Sequence, residues 1–264
     1  MRSSALVAFL LLPSAFGEYV TVNGVRMYYE AHGRGRPVVL LHGGMNSIQT
    51  SFAKQIPAFS RTHRVIAIDQ MAHGRTADVP GRALSYEQMA EDTASLLLHL
   101  GIRDADLVGW SDGGQIALRL AFTHPELIRR VVASGVGFGA GPSFQRDLAD
   151  EKWWDKFSND EFPEGHAEYN RVSPDGPEHW KVYTEKARPM WGAPNWGFTE
   201  SDLAKIKVPV LIISGDREEV EEMVHIFRAI PHARLFVLPS TRHSTFQDRP
   251  DWLNPVVLDF LDRD

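Results

Sequence analysis

Six short, largely apolar runs alternate with helix-period segments in this chain, and that alternation restricts its fold more than any other feature. The runs cover residues 37–41, 65–68, 106–109, 131–133, 208–213 and 235–238. Runs of this length without polar alternation suit strands covered on both faces. Between them lie helical patterns. Ser85 is a natural N-cap for a helix whose Tyr86, Met89, Ala90, Thr93, Leu97 and Leu100 share one side, and Gly101 closes it. Residues 113–123, 219–230 and 252–261 read as further helices. Strand–helix alternation predicts an α/β fold, a mostly parallel sheet with helices on both faces. Upstream, residues 18–22 and 25–30 flank Asn23-Gly24, a dipeptide that accepts the positive φ angles of a tight hairpin.

The alternation stops between residues 136 and 207. That stretch holds Trp153, Trp154, Trp180, Trp191 and Trp196, with helical patterns at 143–157 and 178–190 and no strand run. It reads as a helical cap inserted into a core made of residues 18–135 and 208–264. The N-terminus differs again. Met1-Arg2, an apolar run over 5–12 and small residues at Ala15 and Gly17 form a signal-peptide pattern over 1–17. It predicts a periplasmic or secreted protein; the alternative is a cytoplasmic enzyme with an unusual start. The apolar run is too short to span a membrane.

The formal net charge of −6 and the absence of a basic block argue against a nucleic-acid partner. There is no cysteine, which excludes disulfides, thiolate metal sites and cysteine nucleophiles. No H-E-x-x-H spacing is present, so neither metal nor cofactor is implied.

The chemistry centres on Gly109-Trp110-Ser111-Asp112-Gly113. This G-x-S-x-G has a strand before it and a helix after it. A serine on so sharp a turn is strained, and side chains at positions 109 and 113 would collide with their surroundings. The turn aims a helix N-terminus at the reacting centre, where negative charge develops. His42-Gly43-Gly44 ends an earlier strand. An oxyanion needs two preorganised N–H donors. One is expected from Asp112; the other comes from Gly44, with Met45 as the alternative. His42 reads as a structural hydrogen-bonder.

A serine nucleophile needs a base, and imidazole has the appropriate pKa. His243 lies after the last strand and before the closing helix, which singles it out among the 11 histidines. The segment Gly215-Asp216-Arg217-Glu218-Glu219 follows the preceding strand. A carboxylate there would hold the histidine tautomer. Asp216, Glu218 and Glu219 all compete, and each also suits the first turn of the next helix.

Taken together these motifs resemble the α/β-hydrolase superfamily, across nearly the whole chain beyond residue 17. The order serine, acid, histidine is the one that fold uses. Residues 69–76, Asp-Gln-Met-Ala-His-Gly-Arg-Thr, are similar to the family's D-x-x-G-H-G-x-S loop, departing at Ala72 and Thr76. The resemblance implies an eight-stranded, mostly parallel sheet with a helical cap. It places the acid at Glu218, with Asp216 the alternative. It implies a serine hydrolase that cleaves a small carboxylic ester, or a related acyl bond, through an acyl-enzyme. Carbon–carbon bond hydrolases, perhydrolases and ligand-binding proteins with little turnover share the scaffold. The hexapeptide Gly109 to Gly114 is also similar to the biphenyl-hydrolase-like group, which includes valacyclovir hydrolase. There the aspartate after the nucleophile meets a substrate ammonium, so Asp112 becomes a candidate for substrate binding. Trp110, Trp153, Trp154 and Trp191 are further candidates, and they predict an apolar or aromatic small-molecule ester.

Overall fold

A computed structural model describes residues 16–139, 141–161 and 163–263. β1 (Phe16–Val22) and β2 (Val25–His32) form the expected hairpin, with Asn23 and Gly24 at φ 48° and 82°. Of the segment expected as a leader, residues 1–15 lie outside the described residues. Phe16 and Gly17 already belong to β1, paired with Ala31 and Glu30.

The remaining strands are β3 (Pro37–Leu41), β4 (Arg64–Asp69), β5 (Ala105–Trp110), β6 (Ile128–Ser134), β7 (Val210–Gly215) and β8 (Ala233–Leu238). They form one eight-stranded sheet in the order β1-β2-β4-β3-β5-β6-β7-β8. β2 runs antiparallel to both neighbours, and β3 to β8 are mutually parallel. Most strands outrun their apolar cores by a residue or more, because ladder bonds continue where the side chains turn polar. β7 instead starts late. Pro209 has no N–H to donate, and pairing begins with its carbonyl, which accepts from Val131 N–H at 3.1 Å.

Successive side chains along each strand face opposite sides of the sheet. Val39, Leu41, Ile66, Ile68, Leu107, Val131 and Ile212 point to one side. They pack against α3 (Tyr86–His99), α4 (Asp112–Thr123) and α10 (Val220–Ala229). Val38, Leu40, Val65, Ala67, Val108, Val132 and Ile213 point to the other. That face is covered by α1 (Ile48–Phe52), α2 (Ile56–Phe59), α11 (Thr245–Asp248) and α12 (Pro250–Asp262). Each fully buried valine, leucine or isoleucine contributes about 1.5–3 kcal/mol relative to exposure. Ser85 caps α3 as its position implies, its Oγ accepting from Gln88 N–H at 3.2 Å.

Between β6 and β7 the described residues are helical or loop: α5 (Pro142–Ala149), α6 (Glu151–Lys156), α7 (Pro163–Val172), α8 (His179–Trp191) and α9 (Glu200–Leu203). The helix expected over 143–157 is two. Asp150 leaves the helical region at ψ 112° and caps α6, accepting from Lys152 N–H at 2.9 Å. A competent N-cap inside the pattern wins over continuation. The 178–190 pattern forms α8. No helix among the described residues is long and apolar enough to cross a membrane.

Candidate active site

β5 ends at Trp110 and α4 begins at Asp112, so Ser111 occupies the whole turn, at φ 54° and ψ −120°. Ser111 N–H donates to Ser134 O at 2.7 Å, which ties the turn to β6. Both flanking glycines are required by space. A Cβ on Gly109 would sit 2.2 Å from Gly113 O, and one on Gly113 would sit 1.9 Å from Leu41 O.

The Ser111 hydroxyl lies 2.9 Å from His243 Nε2, and His243 Nδ1 lies 3.1 Å from Glu218 Oε2. Two loops meet to make this line. His243 is steadied by Trp110, whose indole N–H donates to the His243 carbonyl at 2.7 Å. Glu218 is held from behind: its Oε1 accepts from Gly215 N–H at 2.7 Å and from the Ser214 hydroxyl at 3.3 Å. Asp216 faces elsewhere. Its Oδ1 accepts from Thr241 N–H at 3.2 Å, and its side chain is exposed. Asp216 starts the turn after β7; only the residue two further along is carried back over Gly215 toward the imidazole.

His42-Gly43-Gly44-Met45 leaves β3 beside this line. His42 is a structural residue, as its position suggests: Nδ1–H donates to Gly43 O at 2.8 Å and Nε2 accepts from Gln70 N–H at 3.0 Å. Burial lowers its pKa to about 4, so the ring is neutral. Met45 has a positive φ of 58°, and its N–H is already occupied, donating to the Tyr183 hydroxyl at 2.6 Å. That hydroxyl donates onward to His73 Nε2 at 2.8 Å. The direction is set by His73, whose Nδ1–H is spent on Met71 O at 2.9 Å and whose pKa burial lowers to about 3. Tyr183 belongs to α8, so the β6–β7 segment is bolted to the β3 loop. Gly44 N–H has no backbone partner among the described residues. Asp112 opens α4, so its N–H has no acceptor inside the helix. A Cβ on Gly44 would come within 2.5 Å of Asp112 Oδ2 and of the Trp191 ring, so only glycine fits there.

Asp112 is 6% exposed. Its Oδ1 accepts from the Tyr86 hydroxyl at 2.7 Å, and the Trp191 indole N–H bridges both oxygens at 3.1 Å. These donors are neutral. Burial raises the carboxyl pKa, and the hydrogen bonds from Tyr86 and Trp191 oppose it.

Ser111, Asp112 and His243 open into a cavity of about 330 Å³. Its walls are mostly aromatic: Tyr86, Trp110, Phe144, Phe157, Trp191 and Trp196, with Gln115 at α4. Trp110 and Trp191 therefore reach the cavity, as expected. Trp153 and Trp154 do not line it; this corrects their assignment as substrate contacts. They stand behind its wall, Trp153 stacked on Phe157 at 4.5 Å and Trp154 edge-on to Trp191 at 5.9 Å. Phe157 and Trp191 stand between the α6 tryptophans and the cavity. Trp196 shares the tryptophan signal of the segment without being singled out by it; Tyr86, Phe144, Phe157, Gln115 and Tyr183 carry no sequence signal that separates them from core residues. Their spacing is that of ordinary amphipathic helices and loops.

The chain matches the model of the alpha/beta hydrolase family over residues 38–256. It is 27% identical to "Serine hydrolase BPHL" of Homo sapiens over 265 residues, covering 94% of this chain and 89% of that one. It is also 27% identical to 2-hydroxymuconate semialdehyde hydrolase of Pseudomonas sp. (strain CF600) over 267 residues, covering 93% of each. The solved enol-lactonase from Burkholderia xenovorans LB400 superposes with a TM-score of 0.75 at 24% identity, over 93% of this chain and 100% of that one. The sheet order, the turn at Ser111 and the extent of the family match lead to one statement: the chain belongs to the alpha/beta hydrolase family.

Proposed function

We propose that this hydrolase cleaves a small carboxylic ester by a two-step acyl transfer on Ser111. The observation that carries the reading is the continuous line Ser111 Oγ, His243, Glu218, with separations of 2.9 and 3.1 Å. His243 Nε2 takes the serine proton as Oγ attacks the carbonyl carbon. Glu218 keeps the other proton on Nδ1 and stabilises the imidazolium. The N–H groups of Gly44 and Asp112 receive the oxyanion, at the positive end of α4. The imidazolium then protonates the leaving alcohol. Water, activated by the same histidine, releases the acid.

Asp112 refines the substrate. A bare carboxylate beside the developing oxyanion opposes it; a cation on the acyl group pairs with the carboxylate and removes that opposition. The BPHL relative, 27% identical, supports the serine chemistry. The test is steady-state hydrolysis of p-nitrophenyl esters of increasing chain length, each with an uncharged and a matched α-amino acyl group. The expected result is turnover of both, with the α-amino series favoured about 10²-fold in kcat/KM, the size of one desolvated charge pair. Asp112→Asn should abolish the preference. No turnover of any ester, with cleavage of a dienol-type carbon acid instead, would replace this reading by carbon–carbon hydrolysis.

Tyr183 bears on the same reaction at a distance. Its hydroxyl fixes Met45, the neighbour of Gly44, in its left-handed conformation. Tyr183→Phe leaves a buried N–H and a buried imidazole nitrogen unpaired, at about 1–3 kcal/mol each. We expect kcat to fall about tenfold as the Gly44 donor loses its register, with KM within about twofold. Steady-state kinetics on the two proteins separate the terms; an unchanged kcat would show that the Met45 anchor is not coupled to the chemistry.

A further inference from the structure

Trp196 sits where three cavities meet. The first is the cavity beside Ser111, of about 330 Å³. A second, of about 400 Å³, is lined by the loop before α3, by α8 and by the turn after α8, with Leu84, Pro189, Met190 and Ala193 among its apolar walls. A third, of about 410 Å³, lies on the His243 side, against Gly137 and Glu218. Among the described residues the first two share only Tyr86 and Trp196.

The ring itself fills the junction. Its indole N–H donates to Trp191 O at 2.7 Å, and it stands edge-on to Tyr86 with centroids 6.5 Å apart. A Cβ on Gly137 would come within 3.3 Å of Trp196 Cζ3. Tyr86 is the fixed half of this wall, because its hydroxyl is spent on Asp112. Trp196 is the half that can be removed. The backbone beneath it is costly. Asn195 and Trp196 both lie in the left-handed region, at φ 55° and 43°. Glycine would escape that penalty, so the position holds a bulky residue at a cost. Such strain persists only where the surroundings impose it. Here Arg119 Nη2 donates to Gly197 O, and Phe198 N–H donates to Asn195 O at 3.1 Å.

The two outlying cavities differ in what they adjoin. A leaving alcohol must reach His243, which protonates it. His243 and Glu218 line the third cavity, and neither lines the second. The acyl chain therefore points the other way, toward Tyr86 and the second cavity. We propose that Trp196 sets the acyl-length limit of this hydrolase: its ring closes the cavity beside Ser111 against a second apolar cavity, so short chains fit and longer ones are stopped. The inference rests on the ester-hydrolase reading of Ser111 and adds what bounds the substrate.

The test is kcat/KM for p-nitrophenyl butyrate and octanoate in wild type, Trp196→Gly, Trp196→Phe and the double variant Trp196→Gly/Ala193→Phe. Glycine suits the left-handed backbone, so the ring is lost without new strain. Phenylalanine at 196 loses the hydrogen bond to Trp191 O but keeps an aromatic wall. Phenylalanine at 193 refills the second cavity from its own side. Wild type should favour butyrate. Four further methylenes, each worth about fourfold when buried, predict that Trp196→Gly raises the octanoate-to-butyrate ratio about 10²-fold. Trp196→Phe should stay near wild type, and Ala193→Phe should take back most of the gain. A wild type that already favours octanoate, or an unchanged ratio in Trp196→Gly, overturns the proposal. So does an equal rise in Trp196→Phe, which would trace the effect to the lost hydrogen bond. A gain that survives Ala193→Phe also overturns it, because the chain would then lie elsewhere. In parallel, methyl propyl ketone and methyl heptyl ketone, which carry the same two chains on a carbonyl without a leaving group, are titrated by calorimetry into Ser111→Ala with and without Trp196→Gly. The same shift is expected in their Kd ratio. No turnover of any ester, with that shift intact, overturns the ester reading and leaves the partition by Trp196 standing.

Discussion

Ser111→Ala is expected to lower kcat for an activated ester by about 10⁴- to 10⁶-fold, the range for losing a nucleophile that acts as one unit with its base. What survives comes from the oxyanion donors and binding, which the substitution leaves in place. The fold should be untouched. Alanine meets the same backbone strain as serine at φ 54°, and the neighbouring glycines still admit the turn. The imidazole left behind is 44% exposed at its side chain, so water can satisfy Nε2. Steady-state kinetics and thermal melting of the two proteins are sufficient. A variant that melts like wild type and keeps a tenth of the activity would remove Ser111 from the mechanism.

Glu218→Gln should be nearly as damaging, with kcat lower by about 10³- to 10⁴-fold, and the cause is a tautomer. Gly215 N–H and the Ser214 hydroxyl both donate to Glu218 Oε1. In the glutamine they keep the carbonyl oxygen on their side. The amide NH₂ is thereby turned toward His243 Nδ1, now as a donor. The imidazole must then accept on Nδ1 and carry its proton on Nε2, where it cannot take one from Ser111. Asp216→Asn keeps an acceptor for Thr241 N–H and stays clear of the imidazole, so its activity should remain within about threefold of wild type, as for most surface changes. Measuring kcat for the two variants side by side decides between the carboxylates. A large loss in Asp216→Asn with an active Glu218→Gln would reverse the assignment.

The comparison of these two acids shows where a linear reading stops. That an acid follows β7 is legible from chain order. Which one reaches the histidine depends on how the turn after Gly215 folds back, and on the backbone N–H that takes Glu218 Oε1. Neither has a local signature. The candidate oxyanion donors repeat the lesson. Gly44 and Met45 are equivalent as letters, and they separate only because Tyr183, 138 residues away, already occupies the Met45 amide. Tryptophans 153, 154, 191 and 196 look alike in sequence, yet only Trp191 and Trp196 reach the cavity.

By itself, the sequence determined the class of fold, the hairpin at Asn23-Gly24 and the turn at Ser111. These depend on short-range physics: period-two and period-3.6 burial, and backbone turns with positive φ angles. The tertiary structure alone decided the acid geometry, the anchoring of the β3 loop by α8, and the mostly aromatic cavity beside Ser111. Each of these joins residues brought together by the sheet order and the packing of the β6–β7 helices. Contacts of that kind leave no periodicity along the chain.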